Sequence, residues 1–404
     1  MKHTLSALLS SVTLLSAAAC APVDGDPLAA ATQALGEGGA TRLAAGVGHT
    51  CAIRANGTVA CWGSNSHVLG AGNRPNATGY IGAPQDVPGL TDVTRIASTY
   101  MTTVAVHADG HVSCWGNDAS GQCGTGTTGL RWTPVTMSGV TDAVDAAAGS
   151  YHTCVVHAGG GLSCVGYNSH GQLGDGTTTS RTTRVSVNIP GGAARVWAAA
   201  QHTCALNGAG QLYCFGRNDD AQAGVNGGWA VTSPTLVPVP GAVIALTLGY
   251  SHTCAVTSGG GVYCWGTNYY GQLGVGQSTP YLAQPYQPRA VPINDAVGAA
   301  GGGYGQHACV VRAGGAVACW GFNSYGQLGD GTWGASVKRT SPVAMLNVSD
   351  AQEVLVGAYH TCVRRTDGSV ACAGGNGNGQ LGNGTASTQG TALVGTVTGL
   401  NLNP

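Results

Sequence analysis

The chain has 404 residues, 43% of them hydrophobic and 8% charged, and its 16 basic residues almost balance 17 acidic ones. The hydrophobic content argues against a disordered protein, and 68 glycines without a three-residue period indicate turns rather than collagen. Only two lysines are present and no basic stripe is available for phosphates. We therefore expect no nucleic-acid partner.

Residues 1–19 are typical of an export signal peptide, with one early lysine, an apolar run and three alanines before Cys20. The cysteine resembles the lipidated first residue of bacterial lipoproteins, although Ala17 stands where leucine is usual. Cleavage by ordinary signal peptidase is the alternative. Both routes predict an exported protein, either a lipoprotein of the outer membrane, periplasm or cell surface or a secreted one. The only membrane contact we expect is a lipid on Cys20.

Residues 20–40 are rich in Ala, Gly and Pro and are predicted to be a flexible tether. Residues 41–404 then contain seven units of about 50 residues. Each unit has a cysteine slot, a glycine six residues later and a second cysteine ten residues later, and Val104 fills the first slot of unit two.

The spacing predicts a β-hairpin in each unit, with the glycine in the left-handed conformation of a three-residue loop. In unit one, pairing Arg54 with Thr58 across the loop mouth places Cys51 opposite Cys61, on one face and within disulfide range. Each such bridge is worth about 2–3 kcal/mol by loop entropy. The predicted bridges are Cys51–Cys61, Cys154–Cys164, Cys204–Cys214, Cys254–Cys264, Cys309–Cys319 and Cys362–Cys372.

Unit two departs from this pattern because Val104 cannot form a bridge with Cys114. Cys123 stands where other units have the leucine of a GQLG turn. We predict a Cys114–Cys123 bridge, with two buried free thiols as the alternative. Fourteen cysteines would then be paired once Cys20 is set aside.

Short strands and glycine turns repeated seven times predict an all-β fold, a seven-bladed β-propeller with four antiparallel strands per blade. Ring closure would place residues 396–403 beside the first unit.

Two recurring motifs carry a family resemblance: LAAGVGHT at 43–50, and WGTNYYGQLG at 265–274 with WGFNSYGQLG at 320–329. The chain resembles the regulator of chromosome condensation repeat family, whose members are seven-bladed propellers. Cysteines replace the usual aliphatic residues of the paired strands, as expected of an exported bacterial branch. The family's nucleotide exchange on a small GTPase needs a partner that an exported protein would not meet, so the resemblance does not carry that activity over.

Histidines share one position in six units, and Thr102 occupies that position in unit two. They could ring a channel and bind a metal, but six equivalents around a wide ring cannot all reach one ion. We expect each to bond backbone within its own blade, with no metal or cofactor. The GDGT turns carry a single carboxylate and are expected to be tight turns rather than calcium sites. The six histidines are His49, His152, His202, His252, His307 and His360.

Large aromatic residues interrupt the repeats near the GQLG turns, where units would share one rim. We predict that they form a partner-binding surface, since exposed Trp and Tyr are frequent hot spots, although they could equally cap blade junctions. The candidates are Trp132, Trp229, Tyr269, Tyr270, Tyr281, Tyr286, Tyr325 and Trp333.

No Ser-His-Asp set and no paired carboxylates stand out, so we predict no catalytic residues and a binding protein rather than an enzyme. The expected partner is an extracytoplasmic protein, recognised by a monomeric propeller. Two alternatives remain open. One is an inhibitor of an extracellular enzyme, as similar propellers inhibit β-lactamases, and the other is an envelope lyase or hydrolase with its site at the channel mouth.

Overall fold

The computed structural model describes residues 42–66, 69–72, 79–279, 285–299 and 304–403. The predicted signal peptide, the tether and Cys20 lie outside the described residues, as does Tyr281. Within this part of the chain, no helix is long and apolar enough to cross a membrane.

The strands form seven sheets of four, consecutive along the chain. Blade one has β1 (Leu43–Ala45), β2 (His49–Ile53), β3 (Val59–Ser64) and β4 (Tyr80–Asp86). Blade two has β5 (Val93–Thr99), β6 (Thr102–His107), β7 (Val112–Asp118) and β8 (Gly129–Thr136). Blade three has β9 (Ala143–Ala148), β10 (His152–His157), β11 (Leu162–Gly166) and β12 (Arg181–Val187). Blade four has β13 (Ala193–Ala198), β14 (His202–Asn207), β15 (Leu212–Arg217) and β16 (Ala230–Val237). Blade five has β17 (Val243–Leu248), β18 (His252–Thr257), β19 (Val262–Gly266) and β20 (Arg289–Val291). Blade six has β21 (Ala296–Gly298), β22 (His307–Arg312), β23 (Val317–Phe322) and β24 (Lys338–Ala344). Blade seven has β25 (Ala351–Val356), β26 (His360–Arg365), β27 (Ser369–Asn376) and β28 (Ser387–Asn401).

All pairings within a blade are antiparallel, which confirms the predicted seven-bladed propeller. The second strand of a blade is buried on both faces, as in β2, because each sheet packs between two neighbours. The fourth strand is only half-buried, as in β4, because it lies at the outer edge.

The predicted hairpin register is confirmed in blade one. The Arg54 amide donates to the Thr58 carbonyl at 2.8 Å, and Cys51 faces Cys61 with Cα atoms 4.1 Å apart. Gly57 has a φ of 77°, the left-handed conformation that the loop requires.

The structure joins the fourteen described cysteines in the seven pairs expected from the sequence, including Cys114–Cys123 in blade two. The sulfur-bearing residues are fully buried in the apolar layers between blades. Six of the described bridges therefore staple the hairpin of their blade, and Cys114–Cys123 joins β7 to the turn that follows it.

The ring closes non-covalently between blades seven and one. Leu400 and Leu402 pack with Leu43 and Trp62, as predicted for the C-terminal segment. The Trp62 indole donates to the Gln380 carbonyl at 2.9 Å. The equivalent indoles of blades five and six donate to the equivalent glutamine carbonyls of their preceding blades. The closing junction thus has the same indole contact as the junctions that precede blades five and six.

Candidate functional site

One face of the propeller is rich in aromatic side chains, and we call it the aromatic face. Some of them lie between the first and second strands of their blades, and the others lie at or just after the ends of third strands. The first group is Tyr100, Tyr151, Tyr250, Tyr304 and Tyr359, and the second is Tyr167, Tyr269, Tyr270, Phe322 and Tyr325.

Tyrosines from non-adjacent blades meet across the central channel. Tyr100 of blade two stacks on Tyr304 of blade six, with ring centroids 5.2 Å apart. Tyr151 of blade three lies 5.5 Å from Tyr100, and Tyr250 of blade five lies 5.1 Å from Tyr304. These four residues, which we call the tyrosine plug, fill the channel mouth on the aromatic face.

Burial raises the pKa of Tyr151 to about 12, assisted by its hydrogen bond with Tyr100. Burial likewise raises the pKa of Tyr304. Both phenols therefore stay protonated at neutral pH, and they contribute no negative charge to the channel mouth.

A second line of rings runs beside the plug over blades five to seven. Tyr269 contacts Tyr270 at 4.8 Å, and Tyr270 contacts Phe322 at 5.0 Å. Tyr325 then lies 6.3 Å from Phe322 and 5.2 Å from Tyr359. Between this line and the plug lies a cavity of about 270 Å3. Its lining residues are Tyr250, Tyr270, Tyr304, Gln306, Phe322, Ala358 and Tyr359.

A charged pair borders the same face. The Arg217 guanidinium lies 5.4 Å from the centre of the Tyr250 ring and donates to both carboxylate oxygens of Asp219, at 2.7 and 2.6 Å. The hydrogen bond with Asp219 raises the pKa of Arg217. Arg217 is thus a fixed cation held against an aromatic ring.

The repeated histidines are structural, but their predicted bonding partner was wrong. Each bonded histidine reaches a threonine of the following blade rather than backbone in its own, with Nε2 to Oγ1 distances of 2.8–3.2 Å. The pairs are His49–Thr103, His152–Thr203, His202–Thr253, His307–Thr361 and His360–Thr50. We call each of these contacts a clasp.

The hydrogen-bond direction follows from the blade three to four clasp. The Thr203 hydroxyl donates its only hydrogen to the Gln172 carbonyl at 2.9 Å, so Nε2–H of His152 must be the donor to Thr203. Desolvation by burial lowers the pKa of His152 to about 3. The imidazole is therefore neutral and has a defined tautomer.

Two of the seven junctions lack the clasp. Thr102 replaces histidine in blade two and leaves the Thr153 hydroxyl of blade three without a partner. Ala308 replaces threonine in blade six and leaves both ring nitrogens of His252 without one. Within the described residues, no three His, Cys, Asp or Glu side chains are grouped to hold a metal ion.

The profile of the RCC1-like domain matches residues 22–331, and RCC1 repeat profiles match 314–364 and 354–380. The chain belongs to the family of RCC1-like proteins.

Solved structures share the fold of this RCC1-like protein. The structure of Kap60 bound to yeast RCC1 (Prp20) aligns with a TM-score of 0.75 at 17% identity, covering 98% of this chain and 91% of that one. Human WBSCR16 aligns with a TM-score of 0.67 at 19% identity, covering 81% of this chain and 87% of that one. The ectodomain of the Arabidopsis thaliana receptor kinase ACR4 aligns with a TM-score of 0.54 at 19% identity, covering 87% of this chain and 98% of that one. At these identities the likeness shows the fold alone.

The predicted partner-binding residues of the RCC1-like protein are only partly brought together. Tyr269, Tyr270 and Tyr325 join one line of rings. Trp229 contacts the His170 ring at 5.2 Å. Trp132, in contrast, lies half-buried within the outer strand β8 rather than in a loop.

Trp333 is 50% exposed in the segment before β24, and Tyr286 is half-buried before β20. Sequence reasoning missed the tyrosines of the plug. A signal was present, because five of the seven units carry a tyrosine one to three residues before the histidine slot.

Sequence reasoning also missed a Ser-His-Asp arrangement in blade three. His157 Nδ1 lies 2.6 Å from an Asp142 carboxylate oxygen, and its Nε2 lies 2.8 Å from Ser163 Oγ. Arg184 Nη1 donates to the same Oγ at 3.3 Å. All but Asp142 line a cavity of about 470 Å3 at the hairpin end of the blade, away from the tyrosine plug.

Proposed function

We propose that this RCC1-like propeller is an exported binding protein that recognises a partner protein with its aromatic face. The observation that carries the proposal is the exposure of large aromatic side chains on that face. Tyr269 is 56% exposed, and Trp229, which lies between the third and fourth strands of blade four and so on the same side, is 58% exposed. Contiguous exposed apolar surface on a soluble protein marks interaction sites, and Trp and Tyr dominate the binding energy of interfaces.

The cysteine pairing supports export. Disulfides form and persist in oxidising compartments and are rare in the cytosol, and the N-terminal sequence is typical of an export signal. Lipidation of Cys20 would hold the propeller at the envelope. Intact mass of the native protein tests both points, since we expect fourteen oxidised cysteines and an added lipid mass. Reactive thiols among the fourteen would contradict export.

A protein partner also agrees with what is described for a related propeller. Yeast Prp20p binds Gsp1p and histones. We do not propose Gsp1p or histones as partners of this chain. The alternative that we keep is that the protein partner is an extracellular enzyme, which the propeller inhibits.

Affinity capture from envelope and secreted fractions tests the proposal, with bound proteins identified by mass spectrometry. The triple variant Trp229→Ala, Tyr269→Ala and Trp333→Ala should weaken capture of a specific partner at least ~30-fold, the loss of one hot spot. The matched control is Leu346→Ala. Leu346 is 43% exposed and follows the Ala344 end of β24, whereas Phe322 of the aromatic face pairs with Lys338 at the opposite end of that strand. Capture that survives the triple variant would refute the aromatic face as the binding surface, and a loss of capture in Leu346→Ala would show that the effect is not specific to that face.

A second candidate function, hydrolysis of an ester, is favoured by the arrangement of Asp142, His157 and Ser163. The hydrogen bond with His157 lowers the pKa of Asp142, so its carboxylate is charged and can stabilise an imidazolium. Ser163 Oγ would attack the ester carbonyl carbon as its proton passes to His157 Nε2. The imidazolium then protonates the leaving alcohol, and water repeats the sequence to release the acid.

Blade two provides a matched control for this chemistry. His107 Nε2 lies 2.8 Å from Ser113 Oγ, but its Nδ1–H donates to the Thr91 carbonyl in place of a carboxylate. A fluorophosphonate probe should therefore label Ser163 in preference to Ser113. Asp142→Asn should slow the labelling of Ser163 about 100-fold. Equal labelling of Ser163 and Ser113, or labelling of neither, would mean that both His–Ser contacts only hold neighbouring strands together.

A further inference from the structure

We propose that the cavity beside the tyrosine plug binds a quaternary ammonium group of the choline type. Five of its seven lining residues are aromatic, and none of the seven carries a charge. The ring planes are not parallel, since Tyr270 and Phe322 are inclined by 68° and Tyr250 and Tyr304 by 52°. Several aromatic rings inclined around one small space form the arrangement that holds quaternary ammonium ions.

The same cluster already holds one cation. Arg217 lies over the Tyr250 ring at 5.4 Å, within the range of a cation–π contact. The charge of Arg217 is neutralised by its two hydrogen bonds with Asp219, so it does not repel a second cation strongly. The ion pair therefore leaves this edge of the cavity without a strong net charge, and the Tyr250 contact shows that a ring of this cluster accepts a cation.

The hydrogen-bonding groups of the lining fit a quaternary ammonium better than a sugar. A pyranose presents several hydroxyls, and each loses a water when it is buried and must find a protein partner. The lining offers the Gln306 amide and phenol groups, and the Tyr250 hydroxyl already accepts from Arg217 Nη1 at 3.1 Å. A trimethylammonium group has no hydrogen-bonding atom, so its burial leaves nothing unsatisfied.

The size of the cavity also restricts the ligand. At about 270 Å3 it lies just below the range of drug-sized ligand pockets, which begins at roughly 300 Å3. The rings of Tyr250 and Tyr304, which belong to the plug, line one side of the cavity, so we expect a ligand to enter from the aromatic face. A compact headgroup with its remaining chain directed to solvent satisfies both conditions, whether it is free choline or a choline lipid at a membrane surface.

This inference does not depend on the protein-binding proposal, because the ligand is tested alone. Calorimetric titration of the purified propeller with choline should give binding about tenfold tighter than with 3,3-dimethylbutan-1-ol, which has the same shape without the charge. Phe322→Leu and Tyr270→Leu should each weaken choline binding several-fold, and Phe322→Tyr should retain it. The control is Tyr263→Leu, because Tyr263 lies in the same blade as Tyr270 but does not line the cavity.

The outcomes are distinct. Equal affinity for choline and its neutral isostere, binding of methyl glucoside in place of choline, or no binding at millimolar choline would each overturn the assignment. Vesicle co-sedimentation separates the sources, since attachment to phosphatidylcholine but not phosphatidylglycerol vesicles identifies the lipid headgroup. Binding of free choline without vesicle attachment identifies a soluble ligand. Thermal unfolding of every variant verifies that the propeller is folded.

Discussion

Replacing Thr203 by alanine removes the clasp between blades three and four. The Thr203 hydroxyl accepts from His152 Nε2 at 2.8 Å and donates to the Gln172 carbonyl at 2.9 Å, and all three groups are buried. The variant loses two hydrogen bonds and leaves a buried imidazole N–H and a carbonyl unsatisfied. At 1–3 kcal/mol for each of the two unsatisfied buried groups, we expect the free energy of unfolding to fall by about 2–6 kcal/mol.

The chain contains its own control, Thr153→Ala. Thr153 occupies the equivalent position in blade three and is equally buried. Its histidine partner is replaced by Thr102, so the Thr153 hydroxyl has no hydrogen-bond partner. Its replacement should leave stability unchanged or raise it slightly. Guanidinium unfolding of the oxidised proteins, followed by tryptophan fluorescence, measures both. Equal losses in the two variants would show that methyl packing, rather than the clasp, determines the effect.

Three further predictions follow from the same contacts. Ala308→Thr should give His252 Nε2 its missing partner and raise the free energy of unfolding by about 1 kcal/mol, whereas a loss of stability would mean that the junction has no room for the hydroxyl. Burial lowers the pKa of the six repeated histidines to about 3 or 4, so the unfolded chain takes up protons first as the pH falls below 6.5. Stability should therefore be highest above pH 6.5 and fall by about 1.4 kcal/mol per pH unit for each histidine down to pH 4, and a decline confined to pH values below 4 would assign acid unfolding to carboxylates instead. Gly149→Ala should destabilise the protein strongly, because a Cβ there would lie 2.0 Å from a His152 ring carbon, whereas Gly159→Ala meets nothing within 4 Å and should be neutral when thermal unfolding is compared.

Features that depend on one unit could be predicted from the sequence. The Cys51–Cys61 register follows from a three-residue loop and the alternation of hydrogen-bonded pairs, which are local geometry. Even the exception in unit two was recoverable, because Cys123 stands at a leucine position of the repeat.

Features that depend on how units meet could not be predicted in the same way. The clasp joins His152 to Thr203, and the repeat pattern alone does not reveal which element of the next blade faces the ring. The tyrosine plug gathers Tyr100 and Tyr304 from blades that are not neighbours, so only the diameter of the closed ring brings them together. The Ser163 arrangement was hidden for another reason, since Asp142 belongs to the boundary between two units.

The bridges described above span nine or ten residues and stay within one blade. No disulfide therefore crosses any of the seven junctions between described blades, so neighbouring blades can separate without a disulfide being broken. The oxidised chain, once unfolded, is a string of small closed loops that keeps most of its contour length. Duplication or loss of a whole unit would leave every remaining cysteine with its partner, so the number of blades can change without any cysteine becoming unpaired.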